Sequence, residues 1–247
     1  MPKILVNGKE LSFRFALFDL DGTLVDDEDR YRNLASFRYT AIEARAGRKA
    51  ADIWAPLGGY DPARDVIDMS GPIAKAARRE DMALAAASIY LTGCGWHEAR
   101  ALAEEAYADA DAAQLRNYTP RLFPGVVESL RRLKGAGFKL GIATNGLSKI
   151  TSELLQALNL TELFSVVAGS EDAENPKPAP DLLLAACKKA KIAPSKTVYI
   201  GDQPVDAAAA EAAGFMAAVI VGKASVRQSP LVHRVASVAD IAPTRES

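Results

Sequence analysis

Short apolar runs alternate with helical periodicities at both ends of the chain. Phe15-Ala16-Leu17-Phe18 is an unbroken apolar run that leads into Asp19 and a turn at Gly22, the pattern of a strand buried on both faces. Residues 139–143, 165–168, 197–200 and 217–221 repeat that pattern. Helical patterns lie between them, over 126–135, 149–158, 180–191 and 206–213. Pro124 and Pro180 suit first-turn positions, and Gly137 and Gly214 suit helix ends. Strand–helix alternation of this kind predicts an α/β fold with a doubly wound, Rossmann-like parallel sheet. Upstream, Ile4-Leu5-Val6 and Leu11-Ser12-Phe13 flank Asn7-Gly8, which predicts a hairpin through a type I′ turn.

The stretch from Asp26 to Tyr118 reads differently. Its patterns over 28–47, 74–91 and 97–115 are helical and rich in Ala, Leu, Glu and Arg, and no strand is predicted there. Pro56-Leu57-Gly58-Gly59-Tyr60-Asp61-Pro62 and Ser70-Gly71-Pro72 read as breakers. The expectation is a core made of residues 1–25 and 119–247, split by a helical insertion over 26–118. The tail after Lys223 is expected to be surface-wrapped or loosely ordered.

Composition narrows the possibilities. The 247 residues are 49% hydrophobic and 25% charged, which excludes a disordered chain. The formal net charge of -1 excludes a general polyanion binder, so no nucleic acid partner is expected. The insertion carries a net charge of about −4 and the remainder about +3. Two cysteines, Cys94 and Cys187, are too few for a zinc site and read as free thiols, in keeping with a cytoplasmic location. The longest uncharged stretch, Met82 to Trp96, is shorter than the ~20 residues that span a bilayer, so no membrane partner is expected. It reads as a buried helix or as the face of a homodimer.

The candidate chemistry lies where the predicted strands end. Asp19 and Asp21 stand two apart at the end of an apolar strand, so both side chains point one way. Asp-x-Asp-Gly also occurs in calcium loops and solvated turns. Later strands, however, end in polar clusters too: Thr144-Asn145-Gly146, then Gly201-Asp202-Gln203-Pro204-Val205-Asp206, with Pro176-Lys177-Pro178 between them. A parallel sheet gathers these groups on one rim, where open α/β sheets bind ligands. Four carboxylates, a hydroxyl and a lysine suit Mg²⁺ shared with a phosphate. Thr144, the backbone N–H groups after it and a following helix N-terminus suit the phosphate oxygens, with Lys177 as a point charge.

The order of these motifs resembles the haloacid dehalogenase superfamily, in its Mg²⁺-dependent phosphatase branch (phosphoglycolate phosphatase and β-phosphoglucomutase-like). Asp19-Leu20-Asp21-Gly22-Thr23 matches the first motif, Thr144 the second, Lys177 the third and Gly201-Asp202-x-x-x-Asp206 the fourth. The helical insertion falls where the family's first type of cap belongs. The resemblance implies a phosphoric monoester hydrolase acting on a small phosphorylated substrate. It implies Asp19 as nucleophile and Asp21 as general acid and base. It implies Asp19, Asp21 and Asp202 as Mg²⁺ ligands, with Asp206 behind them. Thr144, Asn145 and Lys177 would hold the transferring oxygens. An aspartate at position 21 favours phosphate-ester chemistry over dehalogenation. A phosphosugar mutase of the same fold and a non-catalytic phospho-receiver are the alternatives. Arg45, Arg48 and Lys49, and Arg78 and Arg79, are candidate contacts for an anionic substrate. His97 and His233 read as structural.

Overall fold

The computed structural model describes residues 1–244; the last residues of the expected tail, 245–247, lie outside the described residues. The described chain divides into two compact units, Met1–Asp26 with Arg121 onward, and Asp27–Pro120.

The first unit opens with β1 (Lys3–Val6) and β2 (Lys9–Ser12), an antiparallel pair in which Val6 faces Lys9. Asn7 and Gly8 form the two-residue turn with φ of 49° and 77°, the positive values that a type I′ turn requires. β3 (Phe15–Phe18) follows, wholly buried.

The chain then enters the helical unit. Its elements are α1 (Asp27–Ala46), α2 (Arg48–Gly58), β4 (Tyr60–Asp61), β5 (Val66–Ile67), α3 (Pro72–Lys75), α4 (Arg78–Tyr90) and α5 (Trp96–Asn117). Asp27, Glu28 and Asp29 in the first turn of α1 and Arg45 in its last suit the helix dipole. Alanines of α2, α4 and α5 pack with Trp54, Tyr107 and Ile42 in the core. Arg38 and Asp81 form a buried ion pair, and the Arg38 guanidinium lies 4.3 Å from the centre of the Tyr107 ring.

Three expectations for this unit are corrected. The breaker segment begins inside a helix, α2, which tolerates Pro56 because Trp54, Ala51 and Ala55 bury one of its faces. A two-residue antiparallel ribbon, β4 with β5, is present where no strand was expected. The stretch from Met82 to Trp96 is not one buried helix. α4 ends at Tyr90, and Tyr90, Leu91 and Trp96 are exposed.

The first unit resumes with α6 (Val126–Gly135), β6 (Lys139–Ala143), α7 (Ser148–Ala157), β7 (Val166–Ala168), α8 (Asp181–Ala190), β8 (Thr197–Gly201), α9 (Pro204–Ala212), β9 (Ala217–Val221), β10 (Val232–Val235) and β11 (Ala242–Pro243). Six strands form one sheet in the order β10-β9-β8-β3-β6-β7, every pair parallel. From β3 the chain builds outward through β6 and β7, then returns to β8 on the other side. β3 is therefore the topological switch point, where a crevice opens beyond the strand ends. α8 and α9 pack with Phe15, Leu17, Tyr199 and Ile220. The alternating residues Ala16, Phe18, Ile142 and Ile200 are also fully buried, as a sheet covered on both faces requires. Pro124 precedes the first turn of α6, whose N-cap is Gly125. Of the two readings of the tail, loose order is corrected: the tail adds β10 to the parallel sheet, and β11 pairs with β1. Among the described residues no helix is long and apolar enough to cross a membrane.

Candidate active site

The register of the sheet builds the site. Phe18 lies opposite Ile142 on β6 and Ile200 on β8. Asp19, Thr144 and Asp202 thus leave three adjacent parallel strands at one rim. The Asp19 N–H donates to the Ile200 carbonyl at 2.8 Å, which carries the ladder one residue further. Gly22 then turns the chain away with a φ of 74°. A Cβ on Gly22 would stand 2.5 Å from Asp202 Oδ2, so this close approach needs glycine. The neighbouring Thr23 hydroxyl donates to Asp202 Oδ1 at 3.1 Å.

Lys177 joins the acidic residues. Its Nζ lies 3.1 Å from Asp19 Oδ2 and donates to Asp206 Oδ1 at 2.7 Å and to the Tyr199 hydroxyl at 2.9 Å. Its backbone N–H donates to Asn145 Oδ1 at 3.1 Å. Asp206 Oδ2 accepts the backbone N–H groups of Asp202 and Gln203 at 3.0 and 2.8 Å. Both oxygens of this fully buried carboxylate are therefore engaged by the protein, as its position at the start of α9 allows.

Burial pushes the Asp19 carboxyl up to about 8, against the pull of Lys177 and with the help of Asp206, Asp202 and Asp21. Burial disfavours the Lys177 ammonium, but Asp19 and Asp206 outweigh it and hold its pKa well above the ordinary value. Carboxylate oxygens from Asp19, Asp202 and Asp206 lie within 4.8 Å of one another. A cluster of crowded acidic groups around one ammonium, with hard oxygen donors, fits a small divalent cation.

Thr144 is buried at the end of β6, and its Oγ1 accepts the Gly146 N–H at 3.2 Å. Asp21 is half-buried and forms a backbone bridge with Val25. The structure thus brings Asp19, Lys177, Asp202 and Asp206 into one cluster, with Asn145 bonded to its lysine. The N-terminus of α7 is capped from within the protein: Glu171 accepts the Ser148 N–H at 2.9 Å and also bonds the Ser148 hydroxyl.

Arg45 pairs with Glu105 and Asp109, Arg48 with Glu43 and Asp52, and Arg78 with Asp111. Lys49 and His97 are exposed. Tyr199 was absent from the expected site because it reads as one more core residue of an apolar strand. Its hydroxyl was the available signal, since a buried tyrosine needs a partner.

The chain matches the haloacid dehalogenase-like hydrolase family over residues 16–220. It is 32% identical over 210 residues to phosphoglycolate phosphatase 1 of Pseudomonas aeruginosa, covering 84% of this chain and 69% of that one. It is 42% identical over 93 residues to phosphoglycolate phosphatase of Escherichia coli K12, a match that covers 38% of this chain and 37% of that relative. Among solved structures, a predicted phosphoglycolate phosphatase from Haemophilus somnus superposes with a TM-score of 0.66 at 22% identity, over 92% of this chain and 96% of the other. A putative β-phosphoglucomutase from Thermotoga maritima gives 0.59 at 19% identity, over 92% and 95%. These two likenesses concern the fold. The chain belongs to the haloacid dehalogenase-like hydrolase family.

Proposed function

We propose that this haloacid dehalogenase-like hydrolase is a Mg²⁺-dependent phosphatase that releases phosphate from a small phosphorylated metabolite through an aspartyl-phosphate. The observation that carries the reading is the Asp19 carboxylate, buried at the switch point with Lys177 3.1 Å away and two more carboxylates beside it. Asp19 attacks the phosphorus and the ester oxygen leaves. Asp21, two residues on, gives that oxygen its proton. Asp21 then takes a proton from the attacking water, and hydrolysis returns Asp19 and inorganic phosphate.

Mg²⁺ would be held by the carboxylates of Asp19 and Asp202 and the backbone carbonyl of Asp21. When bound, it neutralises charge on the transferring phosphoryl group. Asp206 is assigned a supporting role, because both its oxygens are engaged by Lys177 and the backbone before α9. Thr144 and Asn145 are assigned to the phosphoryl oxygens. The helical unit, inserted between β3 and α6, is assigned the cap that selects the substrate. A cytoplasmic location suits the two free thiols.

Phosphoglycolate heads the substrate panel, because it is what the named relatives act on. The test is phosphate release from phosphoglycolate and other small phosphate esters, with and without Mg²⁺. Mg²⁺-dependent release supports the reading, and no release from any ester overturns it. A sugar phosphate that is isomerised without phosphate release would assign the same site to a mutase.

A further inference from the structure

An ammonium group has three N–H bonds. At Lys177 two of them are donated inside the protein, to Asp206 at 2.7 Å and to the Tyr199 hydroxyl at 2.9 Å, and Asp19 Oδ2 lies 3.1 Å away as an ion-pair partner. Tyr199 is the neutral partner of the three, and its own proton is committed elsewhere. Its hydroxyl donates to the Ala143 carbonyl at 2.7 Å, so towards Lys177 it acts as acceptor. Ala143 is the residue immediately before Thr144. One hydroxyl therefore joins β8, the end of β6 and the loop that carries Lys177. The aromatic ring also lies under the ammonium, with Nζ 5.3 Å from its centre. Tyr199 is fully buried in the unit that holds Asp19.

We infer that Tyr199 is a positioning residue. It fixes the Lys177 ammonium against Asp19 and ties that lysine to the Thr144 loop. The inference rests on the proposed phosphatase reading for its kinetic consequence, but its geometric part stands without it. A phenylalanine at 199 keeps the ring and the packing. It removes one of the two hydrogen-bond acceptors of Lys177 and strands the Ala143 carbonyl. Lys177 keeps two carboxylates, but its angle to Asp19 is no longer set by a third point. Phosphoryl transfer is sensitive to such misplacement.

The test has two arms. In the first, lysine side-chain ammonium groups are observed by ¹H–¹⁵N NMR of the whole chain at low temperature. The Lys177 signal is assigned by its loss in Lys177→Met. A slowly exchanging Lys177 ammonium in the wild type, and its loss in Tyr199→Phe, is the expected result. A fast-exchanging wild-type ammonium overturns the inference even if the variant fails to fold, and so does unchanged protection in the variant. In the second arm, Tyr199→Phe is assayed on an ester that the wild type hydrolyses. The expected result is a fall in kcat of about 10- to 100-fold with KM within about threefold, the size seen when a residue that orients a functional group is lost. Against the residual activity of Lys177→Met, adding Tyr199→Phe changes kcat by less than about twofold, because both act through one ammonium. Wild-type kcat in Tyr199→Phe, or the same fall in both backgrounds, overturns the inference. A protected ammonium in a wild type that hydrolyses no ester defeats the phosphatase reading alone and leaves the tether intact.

Discussion

Lys177 and Asp206 form an ion pair at 2.7 Å with side chains 3% and 0% exposed. Neither charge reaches water; Lys177 compensates Asp206 and also stands 3.1 Å from Asp19. Asp206 also caps the turn that presents Asp202, through two backbone N–H groups. Breaking a buried pair by removing one partner leaves an uncompensated charge. Asp206→Ala is therefore expected to lower folding stability by about 3–5 kcal/mol, read as a shift of the urea midpoint. Asp206→Asn keeps one acceptor and is expected to fall between the variant and the wild type.

Asp19 stands in the opposite position. Its carboxylate is crowded by like charges and by burial, so its ionised form opposes folding when no cation is bound. Asp19→Asn removes that charge and leaves Lys177 paired with Asp206. The variant is expected to melt at or above the wild-type temperature in metal-free buffer, while phosphate release is abolished. A well-folded Asp19→Asn with wild-type turnover would sink the covalent mechanism.

The site was legible where chemistry follows strand ends. Asp19, Asp202 and Asp206 could be placed together because a parallel sheet aligns its carboxyl ends, and the apolar runs before them mark buried strands. Lys177 sits in a loop, and only its flanking prolines and the resemblance singled it out. Tyr199 stayed hidden because a single hydroxyl in an apolar strand leaves no trace in the pattern. The capping of α7 by Glu171 was equally invisible, since it joins residues 23 apart across a loop. β10 was missed because its residues Val-His-Arg-Val are only half-buried and sit at a sheet edge. α2 was hidden by Pro56, whose cost is overridden by burial of Trp54.

Metal binding is expected to depend on pH with a defined sign. The Asp19 carboxyl is raised to about 8 in the metal-free protein. Below that pH, binding a cation at Asp19 must expel a proton. The apparent Mg²⁺ affinity should therefore tighten by up to about tenfold per pH unit from pH 6 to 8, and level off above. The same group favours the folded apo-protein least at high pH, because its folded pKa lies above the unfolded value. The stabilisation gained from Mg²⁺ should grow across that window. Thermal melts at fixed Mg²⁺ and three pH values test this, and a pH-independent affinity would remove Asp19 from the metal site.

Gly22→Ala tests the approach of the two acidic loops. The added Cβ would meet Asp202 Oδ2 at 2.5 Å, on a residue whose φ of +74° already disfavours a side chain. The Asp202 carboxylate, which Thr23 also holds, must shift to make room. The expected result is a loss of about 1–3 kcal/mol in stability from the left-handed backbone alone. Mg²⁺ binding should weaken at least tenfold by calorimetry. Unaltered metal affinity would mean that Asp202 binds no cation.

Glu171→Ala probes the cap at the start of α7. Glu171 accepts the first N–H of α7 and the Ser148 hydroxyl, and these bonds hold its carboxyl below the usual glutamate range despite partial burial. A folded pKa below the unfolded one contributes stability above the unfolded value. That contribution is lost as pH falls through the folded pKa. At pH 7 the substitution is expected to cost about 1 kcal/mol, the size of a lost N-cap at an exposed helix end. The difference from wild type should shrink as acid protonates Glu171. Urea denaturation at pH 7 and pH 3 measures both, and turnover at pH 7 should stay within about twofold of wild type, because the proposed reading assigns the phosphoryl oxygens to Thr144 and Asn145. A large loss of turnover in a stable Glu171→Ala would return the start of α7 to the substrate site.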